Sequence, residues 1–163
     1  MVLIAKSLEE MTEEIGDPRF SYYEIFTPEK DIENFEERTY AGNPYVNVKN
    51  GFIDRLMDEL NLHRTSRWEA GSAVALALEN ALTRGHLCDN SLSVSVKVIT
   101  GDYGSVIRIR DSGPGFDFLG HIRERIEGKY YGTGRGSGIL FFDHCGPQIS
   151  YEGNGSIVNI LVR

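Results

Sequence analysis

Hydrophobic positions along the chain recur at two periods, and the change from one to the other lays out the elements. Leu8, Met11 and Ile15 follow helical spacing behind a capping box of Ser7 with Glu10, and Gly16 and Pro18 end that run. Phe20 to Phe26 reads as a strand, and Thr27-Pro28 then opens an acidic helix to about Arg38, anchored by Ile32 and Phe35. From Asn50 to Leu60, Phe52, Ile53, Leu56, Met57 and Leu60 make one apolar stripe while Asp54, Arg55, Asp58 and Glu59 face outward. A second capping box, Ser66 with Glu69, starts a helix that runs through Trp68, Val74, Leu78, Ala81 and Leu82 to Gly85. It is more apolar than its neighbours, which predicts a central position.

Period two takes over at Leu92, where Val94, Val96 and Val98 alternate with Ser93, Ser95 and Lys97. Val106 to Arg110 continues beyond a Gly-Asp-Tyr-Gly turn, which predicts a hairpin ending at Asp111. A loop and short helix follow over Phe116 to Gly128, another helix over Gly138 to His144, and closing strands at Gln148 to Glu152 and Ile157 to Val162 around Gly153-Asn-Gly155. This order predicts an α+β fold, a two-layer sandwich with helices on one face of a mostly antiparallel sheet.

With 163 residues and 40% hydrophobic content, the chain can bury one core, and two independent domains would be cramped. The expected division is an acidic N-terminal extension over residues 1–45 (helix, strand, helix) and a main domain over 46–163. The longest apolar run, Ala73 to Leu78, is far short of the ~20 residues that span a bilayer, and glutamates stand where a signal peptide is apolar. A cytoplasmic protein without a membrane partner is expected. Cys88 and Cys145 have no metal-ligand spacing, so they read as reduced thiols. The net charge of −7 lies entirely in Met1 to Tyr40, where eleven acidic residues oppose four basic ones; the remainder carries thirteen of each. Such a segment repels nucleic-acid phosphates, leaving solvated helix faces or a docking surface for a basic partner.

Two stretches, Asp111-Ser-Gly-Pro-Gly-Phe116 and Gly132-Thr-Gly-Arg-Gly-Ser-Gly138, are too glycine-dense for ordinary turns. Glycine admits close backbone approach and positive φ, and free N–H groups leading into a helix attract phosphate oxygens. Both stretches therefore read as walls of a nucleotide pocket. The P-loop string is absent, and the glycines do not have the dinucleotide-fold spacing.

Three segments together carry a resemblance. Asn80-Ala-Leu-Thr-Arg-Gly-His-Leu87 resembles the asparagine box of the GHKL superfamily (gyrase, the ninety-kilodalton heat-shock chaperone, histidine kinases, MutL), in particular its anti-sigma-factor serine kinase branch. Asp111 to Asp117 resembles its first glycine box, and Gly134-Arg-Gly-Ser-Gly-Ile139 its second. The resemblance spans about Asn50 to Arg163 and implies a Bergerat-type ATP-binding fold over 46–163. It implies further that Asn80 coordinates Mg²⁺ through its amide oxygen. Asp111 would accept a hydrogen bond from the adenine amino group, with Gly113 and Gly115 leaving room for the base. Gly134, Gly136 and Gly138, with Ser137, would form the end of a lid offering N–H groups to the phosphates, and Arg135 would add charge to them; Arg84 stands where the family usually carries a histidine, and would either strengthen phosphate contact or reach solvent. ATP or ADP with Mg²⁺ is thus the implied ligand, a regulatory protein the implied partner, and a homodimer would be in keeping with the family.

Of the departures from the pattern, the one at Leu76 bears most on activity. Leu76 stands one helical turn before Asn80, where the kinase branch carries a glutamate that acts as general base or orients the attacking group. Glu79 is about 100° round the helix from Asn80 and would serve as the catalytic group only if the helix were locally over- or underwound. The resemblance therefore implies a Mg-ATP-binding regulator with phosphoryl transfer impaired; the alternative is an active serine or histidine protein kinase of a partner-switching or two-component system.

Overall fold

The computed structural model describes residues 6–26, 44–60, 62, 64–85, 92–128 and 146–163. The acidic helix expected over Thr27 to Arg38, the helix expected over Gly138 to His144 and the second glycine-rich stretch all fall outside them.

In chain order the elements are α1 (Leu8–Glu14), β1 (Arg19–Phe26), α2 (Pro44–Glu59), α3 (Arg64–Asn80) with a π-helical extension (Ala81–Gly85), β2 (Val94–Gly101), β3 (Gly104–Arg110), α4 (Phe118–Ile126), β4 (Gln148–Glu152) and β5 (Ile157–Val162). A 3₁₀ turn (Gly153–Gly155) joins the last two strands. The strands form one five-stranded antiparallel sheet in the order β1-β2-β3-β5-β4, so the chain has an α+β fold. Residues 8–26 belong to this same body: β1 is an edge strand along β2, and α1 packs on the sheet.

Strand alternation divides the sheet into two unlike faces. On one, Val98, Ile107, Ile160 and Ile149 sit opposite one another in successive strands, with Val96, Ile109 and Val158 in the next row. The predicted stripe of α2 (Phe52, Ile53, Leu56, Met57 and Leu60) is buried in full against this face, together with Ala73, Val74, Ala77 and Leu78 of α3. Small residues on α3 let α2 come close; Gly71 lies beside Ile53 and Met57. At about 1.5–3 kcal/mol for each large apolar side chain buried, this layer holds most of the stability.

Helix boundaries and facing differ from the pattern reading at three points. α2 begins at Pro44 rather than Asn50. α3 begins at Arg64, so Ser66 lies within its first turn rather than capping it; an Arg67–Asp58 ion pair of 2.6 Å ties that turn back to α2. Trp68, expected within the apolar side of α3, is 69% exposed, because it stands about 200° round the helix from the buried Ala70.

The second face corrects the expectation that helices cover only one side. α1 forms with the predicted Ser7–Glu10 capping box, and its buried Met11 and Ile15 pack on Ile99, Val106 and Leu161 of that opposite face. Ile15 ends the helix, and its carbonyl accepts the N–H of Tyr103 (2.8 Å) in the β2–β3 turn. The physical reason lies in the strand pattern: odd positions of β2 are polar until Ile99, so one apolar corner remains on the far face and a two-turn helix suffices to cover it.

Beside that corner the face is polar and bonded. Asn159, fully buried, donates to Ser150 Oγ (3.2 Å) and Glu152 Oε1 (2.9 Å), and its own Oδ1 accepts from Arg108 (3.0 Å). Arg108 also donates to Glu152 Oε2 (3.0 Å), and Glu152 Oε1 accepts the N–H of Leu8 (2.9 Å) at the first turn of α1. Burial by itself would raise the pKa of Glu152. The bonds from Arg108, the Leu8 N–H and Asn159, with the Arg108 charge, outweigh it and hold the carboxyl below the usual glutamate value.

Candidate functional site

The end of the sheet at which β3 and β4 finish and β5 begins collects the described part of the predicted site. α3 leads into it. Its regular winding stops at Asn80, and Ala81–Gly85 continue as a π-helical turn, a wider winding that is uncommon and frequent at functional sites. Asn80 is half-buried, Glu79 is exposed, and Leu76 is packed against the main core. The underwinding thus begins beyond Asn80, and Glu79 remains on the outer side of a regular helix rather than taking the place of Leu76.

Gly85, at the close of the π turn, meets Asp111. A Cβ built on Gly85 would lie 2.6 Å from Cγ of Asp111, and one on Gly113 would collide with the Gly85 carbonyl, so glycine at both positions allows helix and loop to touch. Asp111 follows the last residue of β3, as the hairpin pattern predicts, and its N–H continues the ladder by donating to the carbonyl of Ser156 (3.0 Å). Its Oδ1 accepts the N–H of Gly113 (2.8 Å), closing a tight turn that fixes the carboxylate.

Beyond this turn, Gly115 has a φ of +79° and lies against the backbone of Asn154, whose carbonyl accepts the N–H of Phe116 (2.6 Å). Asp117 then caps α4, accepting the N–H of Gly120 (2.8 Å). Phe116 and Phe118 both meet Tyr151 of β4, edge-on with ring centres 5.4 Å apart and stacked at 5.5 Å respectively. These rings anchor the loop on its β4 side, and burial pushes the Tyr151 hydroxyl well above its usual pKa.

The structure therefore brings Asp111, Gly113 and Gly115 together with the end of the helix that carries Asn80. Arg84 lies in the π turn, its side chain outside the described residues, as are Gly134, Arg135, Gly136, Ser137 and Gly138. Sequence reasoning missed two partners of this loop. Gly85 looked like a helix stop and Gly153-Asn-Gly155 like a plain hairpin turn, yet both touch the Asp111 loop. The one available signal was glycine density at these turns, which leaves the contact partner unspecified.

Clefts elsewhere are separate from this arrangement. One of about 250 Å³ lies at the opposite end of the sheet between Ser66, Glu69, Gly146 and Gln148, and another runs beside α1 at Leu8, Thr12 and Gly16. Among the described residues no group of three or more His, Cys, Asp or Glu could hold a metal, and no helix is long and apolar enough to cross a membrane. A single amide oxygen such as that of Asn80 suits Mg²⁺ when ligand phosphates and water complete its shell. No protein-family model matches the chain, and no curated protein matches it.

Proposed function

We propose that this protein is a Mg-ATP-binding regulator resembling anti-sigma-factor serine kinases, acting on a protein partner through its nucleotide state and transferring phosphate slowly or not at all. The observation that carries this reading is the Asp111 carboxylate. It is fixed beyond β3 by the Gly113 N–H and packed against Gly85, at the end of the helix bearing Asn80.

In this reading Asp111 accepts a hydrogen bond from the adenine amino group, where guanine offers no matching donor. The bond from the Gly113 N–H orients the carboxylate, which has about four acceptor positions in all. Glycine at positions 85 and 113 lets the helix end and the loop pack directly against that carboxylate. Asn80 would hold Mg²⁺ through its amide oxygen, and the metal would supply positive charge to the ATP phosphates. Gly134, Gly136, Gly138, Ser137, Arg135 and Arg84 complete the phosphate side of the proposal.

Weak turnover follows from the same helix. Leu76 is an apolar side chain packed against the core and Glu79 faces outward, so neither supplies a base beside Asn80. Loss of a general base typically lowers rates by ~10² to 10⁴, while binding depends on other groups.

Calorimetry with Mg-ATP on the whole protein, with Asn80→Ala and Asp111→Ala as controls and phosphate release followed over hours, tests the proposal. Saturable binding that both substitutions abolish, without turnover, supports it; ATP at a hundred times its dissociation constant should also stabilise the fold by about 2.7 kcal/mol. Steady turnover would favour the active-kinase alternative, and absence of binding would overturn the nucleotide reading.

A further inference from the structure

We infer that the β4–β5 turn, Gly153 to Ser156, is a positioning element for the Asp111 loop and sets base selectivity through Gly155; the selectivity rests on the nucleotide reading above. The turn holds the loop at both ends. The Ser156 carbonyl accepts the N–H of Asp111 at the loop's start, and the Asn154 carbonyl accepts the N–H of Phe116 at its finish.

The backbone of this turn is unusual. Gly153, Asn154 and Gly155 have φ values of +59°, +57° and +86° in succession, a left-handed run that is unfavourable at the non-glycine residue. Such a conformation persists only where its surroundings hold it. Here they do: Ser156 Oγ donates to the Gly153 carbonyl (2.7 Å), and buried Gly155 lies against Phe116.

Steric contact couples the two segments as closely as the hydrogen bonds do. A Cβ on Gly155 would lie 2.5 Å from the Phe116 carbonyl oxygen and 2.7 Å from its ring, and a Cβ on Gly115 would strike the Asn154 carbonyl. On both sides the nearest atom is a backbone carbonyl oxygen, which yields less readily than a side-chain end. A methyl group at Gly155 must push Phe116 outward. Asp111 and Phe116 are the two ends of one six-residue loop, and the Gly113 N–H that orients the Asp111 carboxylate lies inside it, so displacement at one end is passed to the other. Gly155 is accordingly a positioning residue that acts through Asp111.

The test has two arms. In the unmodified full-length protein, amide hydrogen exchange should find the N–H groups of Asp111 and Phe116 protected to the level of the β3–β5 ladder; exchange as rapid as at an exposed turn overturns the inference. In Gly155→Ala, confirmed folded by circular dichroism, the dissociation constant for Mg-ATP should rise about tenfold or more, as expected for loss of a charge-assisted hydrogen bond. That for Mg-triphosphate, which lacks the base, should change less than about twofold. Equal losses for both ligands would mark Gly155 as merely structural, and unchanged ATP affinity would sink the idea outright. If the unmodified protein binds triphosphate but shows no preference for ATP, or binds neither, the nucleotide reading and the selectivity role fail together, whereas protected amides still support the mechanical hold. Should Gly155→Ala fail to fold, the exchange arm and Gly115→Ala, which presses on the same contact from the loop side, decide the question by the same criteria.

Discussion

The two faces of the sheet are held by different physics. Against α2 and α3, twenty buried residues among those described form a continuous apolar layer, while on the α1 side five do, beside a bonded group of Arg108, Glu152, Asn159 and Ser150. An apolar layer is insensitive to pH and tolerant of small shifts in direction. A buried polar group of this kind needs each partner in place, because a donor or acceptor left unpaired costs about 1–3 kcal/mol. One face therefore supplies bulk stability, and the other fixes how a single short helix sits.

The largest expected effect tests the first half of that contrast. Phe52→Ala, at a fully buried position of α2, should destabilise the protein by about 3–5 kcal/mol in denaturant unfolding. On the opposite face Met11→Ala should destabilise by about 2–3 kcal/mol, with faster amide exchange confined to α1 and the Tyr103 turn it touches. If Met11→Ala unfolded the whole domain as readily as Phe52→Ala, the two layers would not be energetically distinct.

A smaller effect separates the faces by pH. The Glu152 carboxyl is held below its ordinary value near 4.5, so the stability it contributes is fully present above that value and is lost as pH falls through the lower folded pKa. Acidification below about pH 4.5 should therefore loosen α1 before it disturbs the α2–α3 layer, and Glu152→Gln should flatten that dependence when Met11 environment and global unfolding are followed together. The smallest effect belongs to the cap. Ser7→Ala removes the acceptor for the Glu10 N–H and should lower stability by ~1 kcal/mol, measured as a shift in the denaturation midpoint without a change in slope.

What was legible in the sequence follows from what periodicity encodes. The stripe from Phe52 to Leu60, the alternation of Val94, Val96 and Val98, and the Ser7–Glu10 box are local signals, and each became the element it announced. Periodicity says which side of an element is apolar and leaves open what that side meets. For that reason the packing of α1 on the far face, which depends on Ile99, Val106 and Leu161 converging from three strands, was not readable from its own seven residues. Trp68 failed for the related reason that a helix rich in alanine presents no sharp apolar stripe. At the candidate site, Asp111 at a strand end and the turn at Gly113 were readable, being set by residues in sequence. The contacts of that loop with Gly85 and with Asn154 were not, since they join positions 26 to 39 residues apart whose only local mark is a glycine or an Asn-Gly pair.

The position of Glu152 has a practical consequence for anyone who redesigns this chain. With one oxygen it receives the first turn of α1, with the other it receives Arg108, and the next residue, Gly153, opens the turn that grips the Asp111 loop. Trimming the amino-terminal helix would thus uncover a carboxylate, a guanidinium and a fully buried amide at once, directly under the hairpin that supports the candidate site. Helix α1 behaves less like a detachable handle than like a keystone, and a version without it would have to be re-engineered at Glu152 and Asn159 before its ligand binding could be compared with that of the intact chain.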